Sequence, residues 1–363
     1  MTRSTIVSLL AASLLGVTTT VAFCQEAAPQ PEAPAKIVPT RPMTSMEKLR
    51  REASRLRPVV GQDGTRMMLF AASWLPVVKD RTIMYNPTTR EAMSIPEYKL
   101  AAPERQTGFA EQVLDQDFYY FTRYGSPLAY ARPIDLIAAL EPGVKNPFRG
   151  KRLLDYGFGS IGHLRLLALL GADVVGVEVD PVLKALYSEP EDTGPVAAAV
   201  SMGADVSDGN LRLVYGKWPG EVREETGGEF DLIVSKNVLK RGYIHPAQPI
   251  DERMQVKLGV SDEDFVKALH ASLKPGGIVM IYNIHPKQKD LPKDYMPWAD
   301  GRCPFAKELL ESVGFEVVEF DKDDSEGIRP IAKALRWDEG DGAMDIQGDL
   351  FATYTLLRRK AGH

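Results

Sequence analysis

The sequence predicts an α/β fold built on an open, doubly wound, largely parallel sheet. Three observations predict it. From residue 151 onward, short apolar or β-branched runs alternate with helical segments at the spacing of βαβ units. A glycine-rich turn, Asp155-Tyr156-Gly157-Phe158-Gly159-Ser160-Ile161-Gly162, stands between the first run and the helix after it. A carboxylate, Glu178, closes the second run about twenty residues after Gly157, the spacing of a ribose-binding acid in such units.

The elements follow in chain order. Arg3 and the apolar, small-residue stretch 6–22 before Ala22-Phe23-Cys24 predict an export signal over residues 1–24, and hence a periplasmic or extracellular protein. The stretch is short for a membrane span and is diluted by Ser and Thr, so no span is expected after cleavage. Val21-Ala22-Phe23-Cys24 also resembles a lipobox, in which case a lipid on Cys24 would tether the chain, although Phe23 is bulky for that motif. Cys303 is the only other cysteine, so loss of Cys24 leaves no internal disulfide. Residues 25–43 are an Ala/Pro-rich linker that cannot bury a core.

Residues 44–149 are expected to form a mainly helical extension over the cleft. Thr44-Ser45-Met46-Glu47 fits a capping box that opens a helix to about residue 55. Further signals are an apolar run at 67–78, a strand at 82–85 and helices near 108–120 and 133–140. The aromatic cluster from Phe118 to Tyr124 reads as packing surface or as a cover for a ligand.

The regular part spans 150–360. It predicts strands at 152–155, 173–179, 211–215, 229–235 and 277–283, with helices at 163–170 and 262–273. A helix at 304–313, a strand at 315–320, a Gly- and Asp-rich excursion resembling a hairpin, and a strand at 350–357 complete it. A net charge of -5 provides no basic field for duplex nucleic acid, so a small-molecule partner is expected. The oligomeric state is left open.

Glycine between a buried strand and a helix lets the backbone approach a ligand closely, and Gly157 and Gly159 meet that need. Together with Glu178 they select an adenosine-containing ligand. Three further features narrow the choice: Asp155 two residues before the first glycine, the run Phe230-Asp231-Leu232-Ile233-Val234-Ser235, and the turn Leu273-Lys274-Pro275-Gly276-Gly277.

On these residues the chain resembles the class I S-adenosylmethionine-dependent methyltransferases over about residues 150–360. The resemblance implies a Rossmann-like, seven-stranded sheet with an antiparallel edge, S-adenosylmethionine as cofactor, and methyl transfer to a small molecule. It implies that Asp155, Gly157 and Gly159 border the methionine part and that Glu178 holds the ribose. Gly216, Lys217 and Trp218 would flank the adenine, and Ser235 and Lys236 would line the cleft. Ile161 and Phe158 depart from the pattern and predict a bulkier loop, while Lys217 stands where the family often has an acid. A non-catalytic binding protein with this fold, or an NAD-linked oxidoreductase that uses Gly162 as third glycine, are the other readings.

The segment 235–246 leaves the fourth strand at the end where ligands bind in such sheets. Either it is a solvated polar loop, with Lys240 and Arg241 facing water, or Asn237 orients an acceptor whose anionic group meets Lys236, Lys240 or Arg241. Tyr243 or His245 would then serve as general base. Displacement from a reactive sulfonium can proceed on alignment alone, so the chemistry compels none of them. His163, His270, His285 and His363 make no metal-ligand spacing.

Overall fold

The computed structural model describes residues 43–121, 125–198, 206–287 and 296–361. The expected export signal, Cys24, almost all of the linker, Arg123, Tyr124 and His363 lie outside the described residues.

Helix α1 (Ser45–Leu56) opens on the expected capping box: the Thr44 hydroxyl accepts the Glu47 N–H and the Glu47 carboxylate accepts the Thr44 N–H. Its Met46, Leu49, Ala53 and Leu56 repeat at helical spacing and are buried. Helix α2 (Asp63–Ala71) follows. The extension, expected to be mainly helical, also contains a three-stranded antiparallel sheet of β1 (Arg81–Tyr85), β2 (Ala92–Ser94) and β3 (Ala110–Leu114), in the order β2-β1-β3. Two short helices, α3 (Ile95–Leu100) and α4 (Pro103–Gln106), connect β2 to β3. The helix expected near 108–120 is therefore corrected to strand β3 and helix α5 (Gln116–Tyr120). Asp115 divides them by capping α5 through the Phe118 N–H, while Val113 pairs with Thr82 on β1. Helix α6 (Ala131–Ala138) ends the extension.

The main sheet runs through β4 (Arg152–Tyr156), helix α7 (Gly162–Leu169), β5 (Asp173–Glu178), helix α8 (Pro181–Leu186), β6 (Gly194–Val196) and β7 (Gly209–Tyr215). It continues through α9 (Arg223–Thr226), β8 (Phe230–Lys236), α10 (Arg241–Ile244), α11 (Asp262–Ser272), β9 (Leu273–His285), α12 (Lys307–Val313), β10 (Phe315–Asp323), α13 (Ser325–Ala334) and β11 (Phe351–Arg359). The strand order is β10-β11-β9-β8-β4-β5-β7-β6. Strands β7, β5, β4, β8 and β9 are parallel, and β11 inserts antiparallel between β9 and β10.

Two expectations change. The sheet has eight strands rather than seven, because β6 pairs antiparallel with the start of β7 at one edge. With three residues including Pro195 it has no readable period, and an edge is where a proline can join a sheet. The excursion expected after residue 320 contains a ten-residue helix, α13, whose period is interrupted in the sequence by Pro330.

Neighbouring residues on the central strands enter different cores. Leu153, Val174, Leu232 and Met280 face one layer with α7 and the extension's Leu49, Leu69 and Ile134. Leu154, Val175, Ile233 and Val279 face the other with Phe265 and Leu269 of α11. Both sheet faces are covered, which is why these strands read as continuous apolar runs. The extension packs as part of this unit, on the α7 side.

Candidate active site

The order of the parallel strands reverses between β4 and β8, and the crevice beyond their carboxyl ends is where such sheets bind ligands. The glycine-rich loop leaves β4 at this point. Gly157 and Gly159 have φ of 77° and 63°, a left-handed backbone that disfavours any side chain. At Gly157 the space is also taken: a Cβ would lie 2.5 Å from Val238 Cγ2. The Gly157 N–H donates to the Val177 carbonyl at 2.9 Å, tying the loop to β5.

Glu178 ends β5 beside this loop. Its Oε2 accepts the Gly159 N–H at 3.2 Å and its Oε1 the Val179 N–H at 2.7 Å. Burial raises its pKa above the ordinary carboxylate value, and those backbone donors act in the opposite direction. Phe158 does not make the loop bulkier. Its ring is buried against Gly176 on β5, where a Cβ would come within 2.7 Å of Phe158 Cδ1. Ile161 is likewise fully buried.

Beneath the loop lies a cluster of four polar side chains. Asp155 Oδ2 is 2.5 Å from His163 Nε2, and both residues are buried. The Tyr130 ring stacks on His163 with centroids 3.6 Å apart and planes 9° from parallel. Lys236 Nζ lies 5.2 Å from the centre of the Tyr130 ring. Desolvation lowers the Lys236 pKa to about 8, with Asp155 acting the other way. Asp155 Oδ1 and His163 Nδ1 are buried without a hydrogen-bond partner.

The segment after β7 departs from expectation. Gly216 is bonded to β5, and the Lys217 backbone N–H donates to Glu221, leaving the lysine side chain exposed beside Gly259. Trp218 is a core residue, 1% exposed, with its indole N–H on Thr226 and its ring edge-on to Phe265 and Tyr156. A ring so enclosed has no face to offer an adenine. Ser235 is corrected in the same way: it is fully buried and its hydroxyl accepts the Leu239 N–H at 3.2 Å, shaping the turn rather than lining the cleft.

The polar segment beyond β8 divides between structural and open positions. Asn237 adopts φ of 62° and its Oδ1 accepts the Ile284 N–H at 2.7 Å, stapling the end of β8 to β9. Lys240 is not solvated. It is 1% exposed, with Nζ 4.7 Å from the Tyr243 ring centre, 5.6 Å from that of Trp298, and 3.4 Å from the Ile284 carbonyl. Desolvation lowers its pKa to about 8, with Asp300 opposing. Arg241 is half-exposed with its Nε 3.9 Å from Asp300. His245 pairs with Asp262 at 2.8 Å at the start of α11.

The structure thus brings together Asp155, Gly157, Gly159, Glu178 and Lys236. Sequence reasoning missed Tyr130, Val238 and Tyr187, whose hydroxyl accepts the Ile161 N–H at 3.2 Å. Only tertiary packing marks them. Gly162, read as a possible dinucleotide glycine, has another use: a Cβ there would lie 2.7 Å from Pro127 Cβ and 2.9 Å from the Tyr120 carbonyl, so it admits the extension. Among the described residues no group of three or more His, Cys, Asp or Glu could hold a metal ion. Among them no helix is long and apolar enough to cross a membrane.

These residues suit an adenosyl amino-acid cofactor. The left-handed Gly157 leaves a close approach to backbone, Asp155 Oδ1 is an unpartnered buried acceptor, and Glu178 presents a carboxylate held by three backbone donors, Gly159, Val179 and Asp180.

No family model matches the chain. It is 28% identical over 147 residues to a ubiquinone biosynthesis O-methyltransferase of Ruegeria pomeroyi, a match covering 40% of this chain and 46% of that relative. The chain thus spans about half the length of the curated relative it matches. Among solved structures, the phosphoethanolamine N-methyltransferase 2 of Haemonchus contortus, solved in complex with S-adenosyl-L-methionine, overlays with TM-score 0.37 and 15% identity, covering 69% of this chain and 63% of that one. The magnesium protoporphyrin IX methyltransferase of Synechocystis PCC 6803 overlays with TM-score 0.33 and 13% identity, covering 64% and 84%. The strand order, not these partial overlays, is what defines the architecture. With β11 antiparallel between β9 and β10 and a glycine loop at the switch point, the domain has a Rossmann-like α/β fold, and over part of its length its sequence is similar to that O-methyltransferase.

Proposed function

We propose that the chain binds S-adenosylmethionine in the crevice between β4 and β8 and transfers its methyl group to a small acceptor bearing an anionic group. The observation that carries this reading is the joining of Gly159 to Glu178: one hydrogen bond from the Gly159 N–H to the Glu178 carboxylate fixes the loop and the end of β5 as a single surface at the switch point.

The cofactor supplies an electrophilic methyl on a sulfonium. In this reading Glu178 accepts the ribose hydroxyls, Asp155 Oδ1 accepts from the α-ammonium, and Gly157 allows close approach of the backbone. Lys217, exposed after β7, borders the adenine in place of Trp218. Lys236 has no hydrogen-bonded acceptor among the described residues and points its ammonium along the Tyr130 face, so it meets the acceptor's anion. Asn237 fixes the turn that carries Lys236, and neither Tyr243 nor His245 is required as a base.

An export signal at residues 1–24 would carry the domain away from the compartment where the cofactor is made, which favours the second reading, a binding protein that retains the cofactor-shaped site without turnover. Calorimetry with S-adenosylhomocysteine tests the cofactor. Micromolar binding that Glu178→Ala abolishes supports it; no binding, together with binding of NAD, overturns it. Transfer of label from S-adenosylmethionine to a carboxylate- or phenol-bearing acceptor, lost in Lys236→Met, separates enzyme from binding protein.

A further inference from the structure

Four consecutive residues of the cofactor loop and the first turn of α7 are held by the extension or by a residue bonded to it. The Ser160 hydroxyl donates to the Tyr120 carbonyl at 3.1 Å. The Ile161 N–H donates to the Tyr187 hydroxyl, which donates in turn to the Tyr119 carbonyl at 2.8 Å. Gly162 lies against Pro127 and the Tyr120 carbonyl, and His163 lies under Tyr130. The clamp is itself anchored. The Tyr119 hydroxyl donates to the fully buried Asp192 at 2.6 Å, and Asp192 pairs with Arg81 of β1 at 3.1 Å and lies 3.9 Å from Arg165 of α7.

We infer that Tyr187 is a positioning residue of the cofactor site, fixing the Ile161 peptide so that the loop between Gly157 and Gly162 is set before a ligand arrives; this rests on the cofactor reading above. The reasoning is entropic and geometric. Gly157 and Gly159 give the loop wide backbone freedom, which a ligand must otherwise quench on binding. Ile161 precedes the first turn of α7, where a backbone N–H has no partner within the helix. Tyr187 supplies that partner from a ring that is 4% exposed, packed edge-on to Tyr119 at 5.1 Å and tilted against Phe158 at 6.2 Å. One hydroxyl thereby joins three pieces of chain: the loop, the end of α8 and the extension.

The test is Tyr187→Phe in the full chain, which keeps the ring and removes the hydroxyl. The expected result is a three- to tenfold weaker Kd for S-adenosylhomocysteine, about what one lost buried hydrogen bond supports, with faster amide hydrogen exchange at residues 159–162. Ser160→Ala, which breaks the adjacent clamp, weakens binding in the same direction. Tyr282→Phe removes a buried tyrosine hydroxyl from Asp324, away from the loop, and leaves the Kd unchanged. Equal affinity in Tyr187→Phe and the parent overturns the assignment. So does equal weakening in Tyr187→Phe and Tyr282→Phe, because general stability would then explain the loss. A parent that does not bind S-adenosylhomocysteine overturns the cofactor reading itself and this role with it.

Discussion

The ring of Tyr130 lies flat on the imidazole of His163, joining the last 3-10 turn of the extension to the first turn of α7 directly beneath the glycine-rich loop. The same tyrosine faces the Lys236 ammonium, so one side chain supports both the helix after the loop and the cation at the crevice. Tyr130→Leu removes this platform and leaves a void next to an Asp-His pair. A loss of about 2–4 kcal/mol in urea denaturation is expected, from the ring's packing and the stacking it gives up. An unchanged midpoint would show that the stack contributes nothing.

At Gly157 two penalties should separate. Gly157→Ala meets a left-handed backbone, about 1–2 kcal/mol, and a clash with Val238. Adding Val238→Ala removes the clash but not the backbone strain. Ligand affinity and melting temperature in the double variant should therefore recover in part, falling between Gly157→Ala and the parent. Complete recovery would show that steric crowding alone requires glycine there.

Lys240 provides a pH signature. Burial holds its pKa at about 8 in the folded chain, below the unfolded value near 10.4, so between these values the unfolded state carries more protons and stability rises with pH. Below about pH 8 the ammonium is charged in both states and its burial costs stability. Lys240→Met should consequently be neutral or stabilising at pH 7, with the difference from the parent shrinking as pH rises from 8 to 10.5. Lys236 shares this window and remains in both proteins, so the comparison isolates Lys240. A variant that loses stability equally at pH 7 and 10 would refute the account.

Arg132 of α6 forms two bonds to Asp324, which also accepts the Tyr282 hydroxyl at 2.8 Å. This pairing ties the extension to the antiparallel edge of the sheet. Arg132→Met leaves the buried carboxylate with the tyrosine alone and should lower stability by about 3 kcal/mol. Arg132→Met combined with Asp324→Asn should recover most of that loss, measured by chemical denaturation of the parent and both variants.

Much of the sheet could be read in advance because its strands are buried on both faces. Runs such as Leu153-Leu154 and Leu232-Ile233-Val234 advertise themselves without any knowledge of their neighbours. The extension could not be read so well. Strand β3 has only Leu114 buried and is held by pairing with β1, an interaction that its own residues do not encode. Trp218 follows β7 and Ser235 lies near the end of β8, but position along a strand end does not say which way a side chain turns.

The sequence by itself determined the glycine loop, Glu178 and the alternation of strand and helix, because backbone conformation at Gly157 and Gly159 and burial along the strands are set by local residue chemistry. Tertiary structure alone decided which neighbours make those residues a site. Phe158 is harmless because Gly176 receives it, Gly162 serves the extension, and the polar stretch after β8 gives Lys240 to the core while leaving Lys236 at the crevice. Those outcomes depend on contacts between segments distant in sequence, where a side chain's role is fixed by the space and charge it meets.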